Sequence, residues 1–557
     1  MTYTASDYLL DRLAELGVEH IFGVPGDFTL GLLDHIDDDG RIAWVGMANE
    51  LGAGYAADGY ARIVGLGVVC TTFGVGELSA INAVAGAYAE HVPLLSLVGA
   101  PSTVVQAAGR ATHHTLGDGD FEHTLRMTSE VTVAQSMLGL TDTTSEIDRV
   151  LTAIIRTGLP GYLCLPTDVA ESPATPPSDP LSIAPAQSDV DSLAAFARAA
   201  STLLDGYPAP LVLADILVNR VHAEGALHGL LAAGDLPFAS LLWGRRVIDE
   251  SHPNYVGTYI GAASDPATRV AVESAERLIT AGVYFTDLTS GFFSQHLDDA
   301  HRIDLLPHTA VVAGQEFGGV EMRDALLALT DIVGVAVARR HDPVEHVPAP
   351  APAPSSVTPL TQGELWHVVA QALAPGDLVF ADQGTAFYGM GGHRLHHDVV
   401  FVGQPLWASI GYTLPALLGG ALGAPERRPV LLIGDGAAQL TIAELGSIIR
   451  LGIPAVLVVV NNDGYTVERA IHGPGRAYND IASWRWTELP SALGADASST
   501  RSTRVTSAAA LAVALEVAAA EPAGLHFIEA VVDRLDVPPL LSALAAAAAA
   551  ANSRTSR

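Results

Sequence analysis

Apolar residues along the chain fall into two alternating patterns, short continuous runs and longer stretches at helical spacing. The first stretch, residues 6 to 16, carries leucines at helical spacing after Ser6 and predicts a capped amphipathic helix ending at Gly17. A strand at Val18 to Phe22 follows, and apolar runs at 67 to 72, 93 to 99 and 162 to 165 alternate with further helical stretches. A second block repeats the alternation with strand-like Pro210 to Ala214, Leu278 to Gly282 and Thr309 to Val312. A third starts with a helix over 362 to 373 and a strand over 378 to 381. Continuous apolar runs fit strands covered on both faces by helices. The pattern therefore predicts an α/β protein of three doubly wound parallel-sheet domains.

Two segments interrupt the pattern. Glu171 to Ser188 is rich in Pro and Ser, and His346 to Pro354 reads HVPAPAPAP, a composition that favours extended polyproline-like chain over a packed core. They divide the sequence into domains at 1–175, 190–342 and 358–540, with a carboxyl-terminal helix and tail at 541–557. A length of 557 residues agrees, since one core cannot serve so long a chain.

Composition narrows the partners. With 29 basic and 61 acidic residues the formal charge is -32, which argues against nucleic acid and anionic membrane surfaces. Cys70 and Cys164 each sit inside a strand-like apolar run and read as buried thiols of a reducing compartment. The amino terminus has no basic start followed by an apolar core, so no signal peptide is expected and the expected location is cytoplasmic. Ala545 to Ala551 is short and weakly hydrophobic, a frayed terminal helix and not a membrane span.

The third block carries the densest chemistry. Pro429 to Ile433 is a buried strand, Gly434-Asp435-Gly436 is the turn after it, and Ala437 to Arg450 has helical spacing. A second buried strand, Ile453 to Val460, ends at Asn461-Asn462-Asp463-Gly464. In a parallel sheet both turns lie at the carboxyl edge, where open α/β sheets bind ligands. Asp435 and Asn462 offer hard side-chain oxygens, and glycine lets a backbone carbonyl approach, at Gly464 as at Gly434 and Gly436; that set suits Mg²⁺ holding a diphosphate. Either turn alone is ordinary turn chemistry. Together, one helix and one strand apart, they are a specific signal.

At this spacing GDG followed by NN resembles the thiamine diphosphate motif. Over nearly its whole length the chain resembles the thiamine diphosphate-dependent 2-oxo acid decarboxylases of the indolepyruvate, phenylpyruvate and branched-chain type, related to pyruvate decarboxylase. The resemblance runs through VPGDF (24 to 28), ANELGAGYAADGYAR (48 to 62), TTFGVGELSA (71 to 80), HHTLGDGDF (113 to 121), QPLWASIGYT (404 to 413) and NNDGYTVERAIHG (461 to 473). It implies pyrimidine-binding, middle and diphosphate-binding domains, in that order. It also implies thiamine diphosphate and Mg²⁺ as cofactors, and a homodimer or homotetramer with each cofactor bridging two subunits. The implied reaction is non-oxidative decarboxylation of a 2-oxo acid to an aldehyde and CO₂.

Residue roles follow from the matched motifs. By spacing, Glu50 is a helix-start carboxylate facing the helix dipole, beside a face of small residues, Ala53, Gly54, Ala57 and Ala61, that a flat group could approach. The resemblance sets Glu50 against N1' of the cofactor's aminopyrimidine, where it favours the imino tautomer. It makes Ile410 the apolar wedge that bends the cofactor and gives the carbonyl of Ala408 to the 4'-amino group; relatives usually carry Gly at that position. Gln383 and Gly74 join the cofactor contacts, with Glu77 beside Gly74 near the pyrimidine ring. Asp27, His113, His114 and Glu468 become a proton-handling cluster near the substrate, although adjacent histidines in isolation are ordinary loop residues. The matched pocket positions are Leu288, Phe387, Val467 and Leu541. Val467, smaller than the Ile of pyruvate decarboxylases, leaves room for a long side chain, and Phe387 narrows the far end against an indole. His393, His396 and His397 lack accompanying ligands and read as a solvated loop.

Two rivals remain at this point. A thiamine-dependent carboligase of the acetolactate synthase kind shares Glu50 and the GDG to NN stretch, whereas His113, His114 and Glu468 favour a decarboxylase. A non-catalytic phosphate-binding module needs only the α/β frame.

Overall fold

The computed structural model describes residues 2–207, 209–336 and 359–554. The proline-rich 346–354 segment lies outside these. Three sheets form the frame. The first contains β1 (His20–Gly23), β2 (Ala43–Gly46), β3 (Gly67–Thr72), β4 (Leu94–Ala100), β5 (Ala134–Met137) and β6 (Gly161–Pro166), all parallel in the order β2-β1-β3-β4-β6-β5. β3, β4 and β6 are buried along their whole length, which is why their sequences are unbroken apolar runs. Cys70 lies in β3, and burial pushes its thiol up to about 12; Cys164 in β6 is shifted the same way.

The second sheet contains β7 (Leu211–Ala214), β8 (Phe238–Ser240), β9 (Tyr255–Thr258), β10 (Leu278–Ala281), β11 (Arg302–Leu306), β12 (Thr309–Val312) and β13 (Gln315–Gly318). Its order is β13-β12-β11-β10-β7-β8-β9, and the β11–β12 and β12–β13 pairs are antiparallel. The run at Thr309 to Val312 is thus the middle of an antiparallel edge and not a parallel strand. The two-residue link from Leu306 to Thr309 is too short for a crossover and reverses the chain. The third sheet contains β14 (Asp377–Ala381), β15 (Val400–Val402), β16 (Arg428–Gly434), β17 (Val456–Asn461), β18 (Thr500–Val505) and β19 (Leu525–Val531), all parallel, in the order β15-β14-β16-β17-β19-β18.

Several local expectations shift. The first helix is Ala5–Glu15, and its cap is Thr4, which forms a capping box with Asp7. Ser6 is buried, and its hydroxyl donates to the Ala170 carbonyl at 3.0 Å. The stretch after β16 is two helices, Asp435–Thr441 and Glu444–Arg450. The Thr441 hydroxyl donates to the Gly411 carbonyl at 2.7 Å, and the Glu444 carboxylate accepts from the Ala48 amide at 3.2 Å, so each segment is tied to a different neighbour. The terminal helix, Pro539–Arg554, buries Leu541, Leu544 and Ala548. It packs on the Thr385–Gly391 and Thr466–Ile471 helices, so as far as Ala548 it is a structural cover. Among the described residues no helix is long and apolar enough to cross a membrane.

The first and third domains meet through two helices, Glu50–Val64 and Thr413–Gly423. A Cβ at Gly59 would stand 2.1 Å from the Ala416 carbonyl oxygen, and one at Gly419 would stand 1.8 Å from that of Ala56. Only glycine permits this approach of backbones. Gly54 packs on Ala83 and Ala57 on Gly67, so the small-residue face that follows Glu50 serves helix packing and leaves no room for a flat ligand.

Candidate active site

β16 and β17 are paired neighbours, so the turns at their carboxyl ends are held side by side. Asp435 is the first residue of its helix and is 1% exposed. Its Oδ1 accepts from the Gly436 amide at 2.7 Å, and its Oδ2 accepts from the amides of Asn462 and Gly464, each at 3.2 Å. Burial nevertheless wins and raises this carboxyl to about 6.

One end of the Asn462 carboxamide lies 3.0 Å from Asp435 Oδ1 and 2.8 Å from the Gly464 carbonyl oxygen: turned one way its nitrogen donates to both, turned the other its oxygen faces them. In the second orientation three oxygens converge without a donor between them, and they repel each other unless a cation joins them. Neighbouring oxygens of an octahedron with metal bonds of about 2.1 Å are roughly 3.0 Å apart, the Mg²⁺ geometry. The amide nitrogen is served on its other side, where the Thr466 hydroxyl lies 3.0 Å away and itself donates to the Arg534 carbonyl. Asp463 (φ 53°) and Gly464 (φ 125°) turn left-handed to aim the Gly464 carbonyl inward. The buried Arg469 secures this turn by donating to the carbonyls of Asn462 at 3.1 Å and Asp463 at 2.6 Å.

These oxygens open into a cavity of about 250 Å³. Gly434, Gly436, Gln383, Ala408, Ile410 and Glu468 line it, as do Leu288, Tyr388 and Val467. Gln383 donates to the Tyr388 hydroxyl at 2.6 Å, while its buried Oε1 has no hydrogen-bond partner among the described residues.

Phe387 and Leu541 do not line the cavity. Phe387 is 1% exposed, its ring lies 5.9 Å from that of Phe401, and its edge covers Gly403. Leu541 is buried in the same core. Successive residues on a helix point about 100° apart, so Tyr388, one step on, takes the place expected for Phe387. His393 also departs from the solvated-loop reading: it is partly buried against His367, and burial lowers its imidazole to about 4.

A second cluster lies on the first domain. His113 Nε2 is 2.8 Å from Asp27 Oδ2, His113 stacks on Phe28 at 5.0 Å, and the His113 and His114 rings are 4.6 Å apart. Gly74 abuts this loop, because a Cβ there would stand 1.8 Å from the His114 carbonyl. Glu77 accepts from the Gly74 amide at 2.7 Å and from the Tyr162 hydroxyl at 2.8 Å, a buried structural post. Glu50 follows the Asn49 cap of its helix, half-buried beside Gly76. None of Glu50, Asp27, His113 and His114 lines the cavity of the same chain.

Three models of thiamine pyrophosphate enzymes match the chain in order: the N-terminal TPP binding domain over residues 3–123, the central domain over 197–312 and the C-terminal TPP binding domain over 388–530. The alpha-keto-acid decarboxylase of Mycobacterium ulcerans (strain Agy99) is 53% identical over 547 residues, covering 97% of this chain and 95% of the relative. The chain belongs to the thiamine diphosphate-dependent 2-oxo acid decarboxylase family. The alpha-keto-acid decarboxylase of Mycobacterium leprae (strain TN) gives the same identity and coverage. At the level of fold, the X-ray structure of a thiamin diphosphate-dependent enzyme from Mycobacterium smegmatis superposes with a TM-score of 0.75 at 20% identity, covering 95% of this chain and 99% of that one.

In this family's terms the cavity fits its cofactor. The converging oxygens suit the cation that a diphosphate needs, and the orphaned Gln383 Oε1 is an acceptor facing a donor not yet supplied. Ala408, where Gly is usual, has φ 56°, a conformation that costs an L-residue. Asp382 escaped the sequence reading: it lines the cavity, is 1% exposed, and accepts from the amides of Gly411 and Thr413 at 3.1 Å each. Its place just past β14, at the carboxyl edge, obeys the same rule that singled out Asp435 and was the available signal.

Proposed function

We propose that this protein decarboxylates 2-oxo acids non-oxidatively to the aldehyde and CO₂, with Mg²⁺ held by Asp435, Asn462 and the Gly464 carbonyl. The convergence of the Asp435 carboxylate, the Asn462 carboxamide and the Gly464 carbonyl at 2.8 and 3.0 Å at the head of a lined cavity carries the reading, and the names of the relatives support the reaction class. When bound, thiamine diphosphate supplies the nucleophilic carbon and the electron sink. The chain's own residues do the rest. Gln383 and Ala408 would orient the cofactor, Ile410 would press against it as an apolar wall, and Leu288, Tyr388 and Val467 would exclude water around the substrate side chain. Glu468 stands at the cavity to hand over a proton.

Glu50, Asp27, His113 and His114 require a second copy, because their own chain leaves them outside the cavity. Exposed apolar residues support this: Val75 and Leu78 on the helix whose Gly76 lies beside Glu50, Leu440 on the helix that Asp435 opens, and Trp407 on the turn that carries Ala408. We read the active form as a homodimer or a pair of homodimers in which Glu50 holds a proton at the partner's pyrimidine nitrogen. The room left by Val467 favours phenylpyruvate and branched-chain 2-oxo acids over pyruvate, with indolepyruvate limited by Tyr388.

The test is aldehyde release from a panel of 2-oxo acids with thiamine diphosphate and Mg²⁺. Acyloin as the sole product would make the protein a carboligase. Asp435→Ala should lose cofactor on gel filtration, since it removes the charged ligand; full activity of that variant without added Mg²⁺ would overturn the cation assignment.

A further inference from the structure

Among the cavity-lining residues, the middle domain supplies one side chain, Leu288. It also holds a wall it does not itself form. Gln383, Gly384, Thr385, Ala386 and Tyr388 make one side of the cavity, and most of them belong to the helix Thr385–Gly391. That helix has 7 residues, too few to keep its shape unaided, and its last carbonyls need external donors.

The donor is an arginine of the middle domain. Arg245 donates through Nη1 to the Met390 carbonyl at 2.8 Å and through Nη2 to the His393 carbonyl. Glu250 grips the same guanidinium with two bonds of 2.7 Å, and the side chains are 0% and 2% exposed. The other contacts are equally committed: the guanidinium carbon lies 4.9 Å from the Phe401 ring centroid, and Glu250 Oε2 accepts from the Leu395 amide at 2.9 Å. A buried ion pair contributes little net stability compared with an apolar pair of the same size. A rigid fork, however, fixes the direction of two carbonyls, which an apolar pair cannot do.

We infer that Arg245 is a positioning residue for substrate selection: by holding the Met390 and His393 carbonyls it sets the helix that places Ala386 and Tyr388 against the substrate side chain. The inference rests on the cavity being the 2-oxo acid site. The cation oxygens come from the turns after β16 and β17, which Arg245 does not touch, so substrate discrimination and cofactor retention should separate.

The test pairs Arg245→Met with Glu250→Gln, leaving no buried charge while Gln keeps an acceptor for the Leu395 amide. Three quantities are read: hydrogen exchange of peptides covering 383–391, kcat and KM for phenylpyruvate and pyruvate, and thiamine diphosphate affinity with Mg²⁺ by tryptophan fluorescence. The expected result is faster exchange at 383–391 and a loss of about tenfold in discrimination between the two substrates, the value of roughly one methylene. The loss should arise in KM for the bulky substrate, with cofactor affinity changed far less because the cation turns are untouched, and Arg245→Lys should restore part of it, since an ammonium keeps the charge and still donates but lacks the rigid fork of the guanidinium. Unchanged discrimination in a folded double variant, or an equal change for both substrates, overturns the inference. Should the double variant not fold, Arg245→Lys and Glu250→Gln are read singly by the same criterion. If the unmutated protein binds cofactor yet decarboxylates neither substrate, the proposed function fails by that result, and unaltered exchange at 383–391 in the variants removes the positioning role separately.

Discussion

Ala408 shows how one residue can carry a cost that the rest of the chain tolerates. At φ 56° its Cβ meets the backbone, a penalty of roughly 1–2 kcal/mol in the left-handed region. Glycine removes the clash but enlarges the unfolded ensemble. Ala408→Gly should therefore stabilise the protein by up to about 1 kcal/mol in urea unfolding; a lower midpoint would show that the Cβ makes a compensating contact. Phe387 and Tyr388 form a second residue-level contrast. Phe387→Ala should cost about 3–5 kcal/mol, as for a buried aromatic, and leave the order of substrates intact. Tyr388→Ala should instead improve indolepyruvate relative to phenylpyruvate in kcat/KM. If Phe387→Ala changes the order and Tyr388→Ala does not, the cavity wall is misassigned.

Among elements, the turn from Gln404 to Ile410 depends most on others. Glu90, fully buried at the end of the Val75–Ala89 helix, accepts from the Leu406 amide at 2.9 Å and the Trp407 amide at 3.3 Å. Its other oxygen accepts from Arg62 at 3.2 Å. Burial pushes the Glu90 carboxyl up, and Arg62 pulls it back. Glu90→Gln would leave the Arg62 charge less compensated and remove the anionic acceptor under the turn that carries Ala408 and Ile410. The expected cost is about 3–5 kcal/mol of stability, as when a buried pair loses one partner, together with weaker thiamine diphosphate binding in a fluorescence titration. Loss of stability with unchanged binding would confine Glu90 to the fold.

Over the whole molecule, burial of charge where domains meet sets a pH dependence. Asp215, 0% exposed at the end of β7, accepts one bond, from the Tyr284 amide at 3.3 Å, and its Oδ1 has no partner among the described residues. Burial raises this carboxyl from 3.8 to about 8. Between those values the native state holds more protons than the unfolded chain, so Asp215 costs stability as pH rises through that range. Asp215→Asn lacks the titration, so its melting temperature should gain on the unmutated protein from pH 5 to pH 9. A gap independent of pH would show that the carboxyl is neutral throughout or finds a partner. Assembly gives the other whole-molecule prediction: if Glu50 serves a neighbouring chain, specific activity should fall on dilution in step with loss of the dimer in sedimentation. Full activity of a monomer would refute the shared site.

Much of this was legible in one dimension. Unbroken apolar runs such as Gly67–Thr72 and Leu94–Ala100 announce strands buried on both faces, because helices must cover a parallel sheet. The turns at Asp435 and Asn462 were legible for the same local reason: a strand end at the carboxyl edge and a short polar side chain beside glycine suffice to mark them. Facing and pairing were not legible. Whether Phe387 or Tyr388 looks into the cavity depends on how a seven-residue helix is rotated, and Arg245 and Trp366 on other elements decide that. The cap at Thr4 in place of Ser6, the reversal at Thr309 and the buried roles of Glu90 and Asp382 likewise depend on partners far away in the chain. The sequence by itself determined which residues could form strands, helices and a cation-binding turn, since those follow from local periodicity and side-chain chemistry. Tertiary structure alone decided which oxygens converge and which carboxylates are stripped of water, because burial and distance belong to no single stretch of chain.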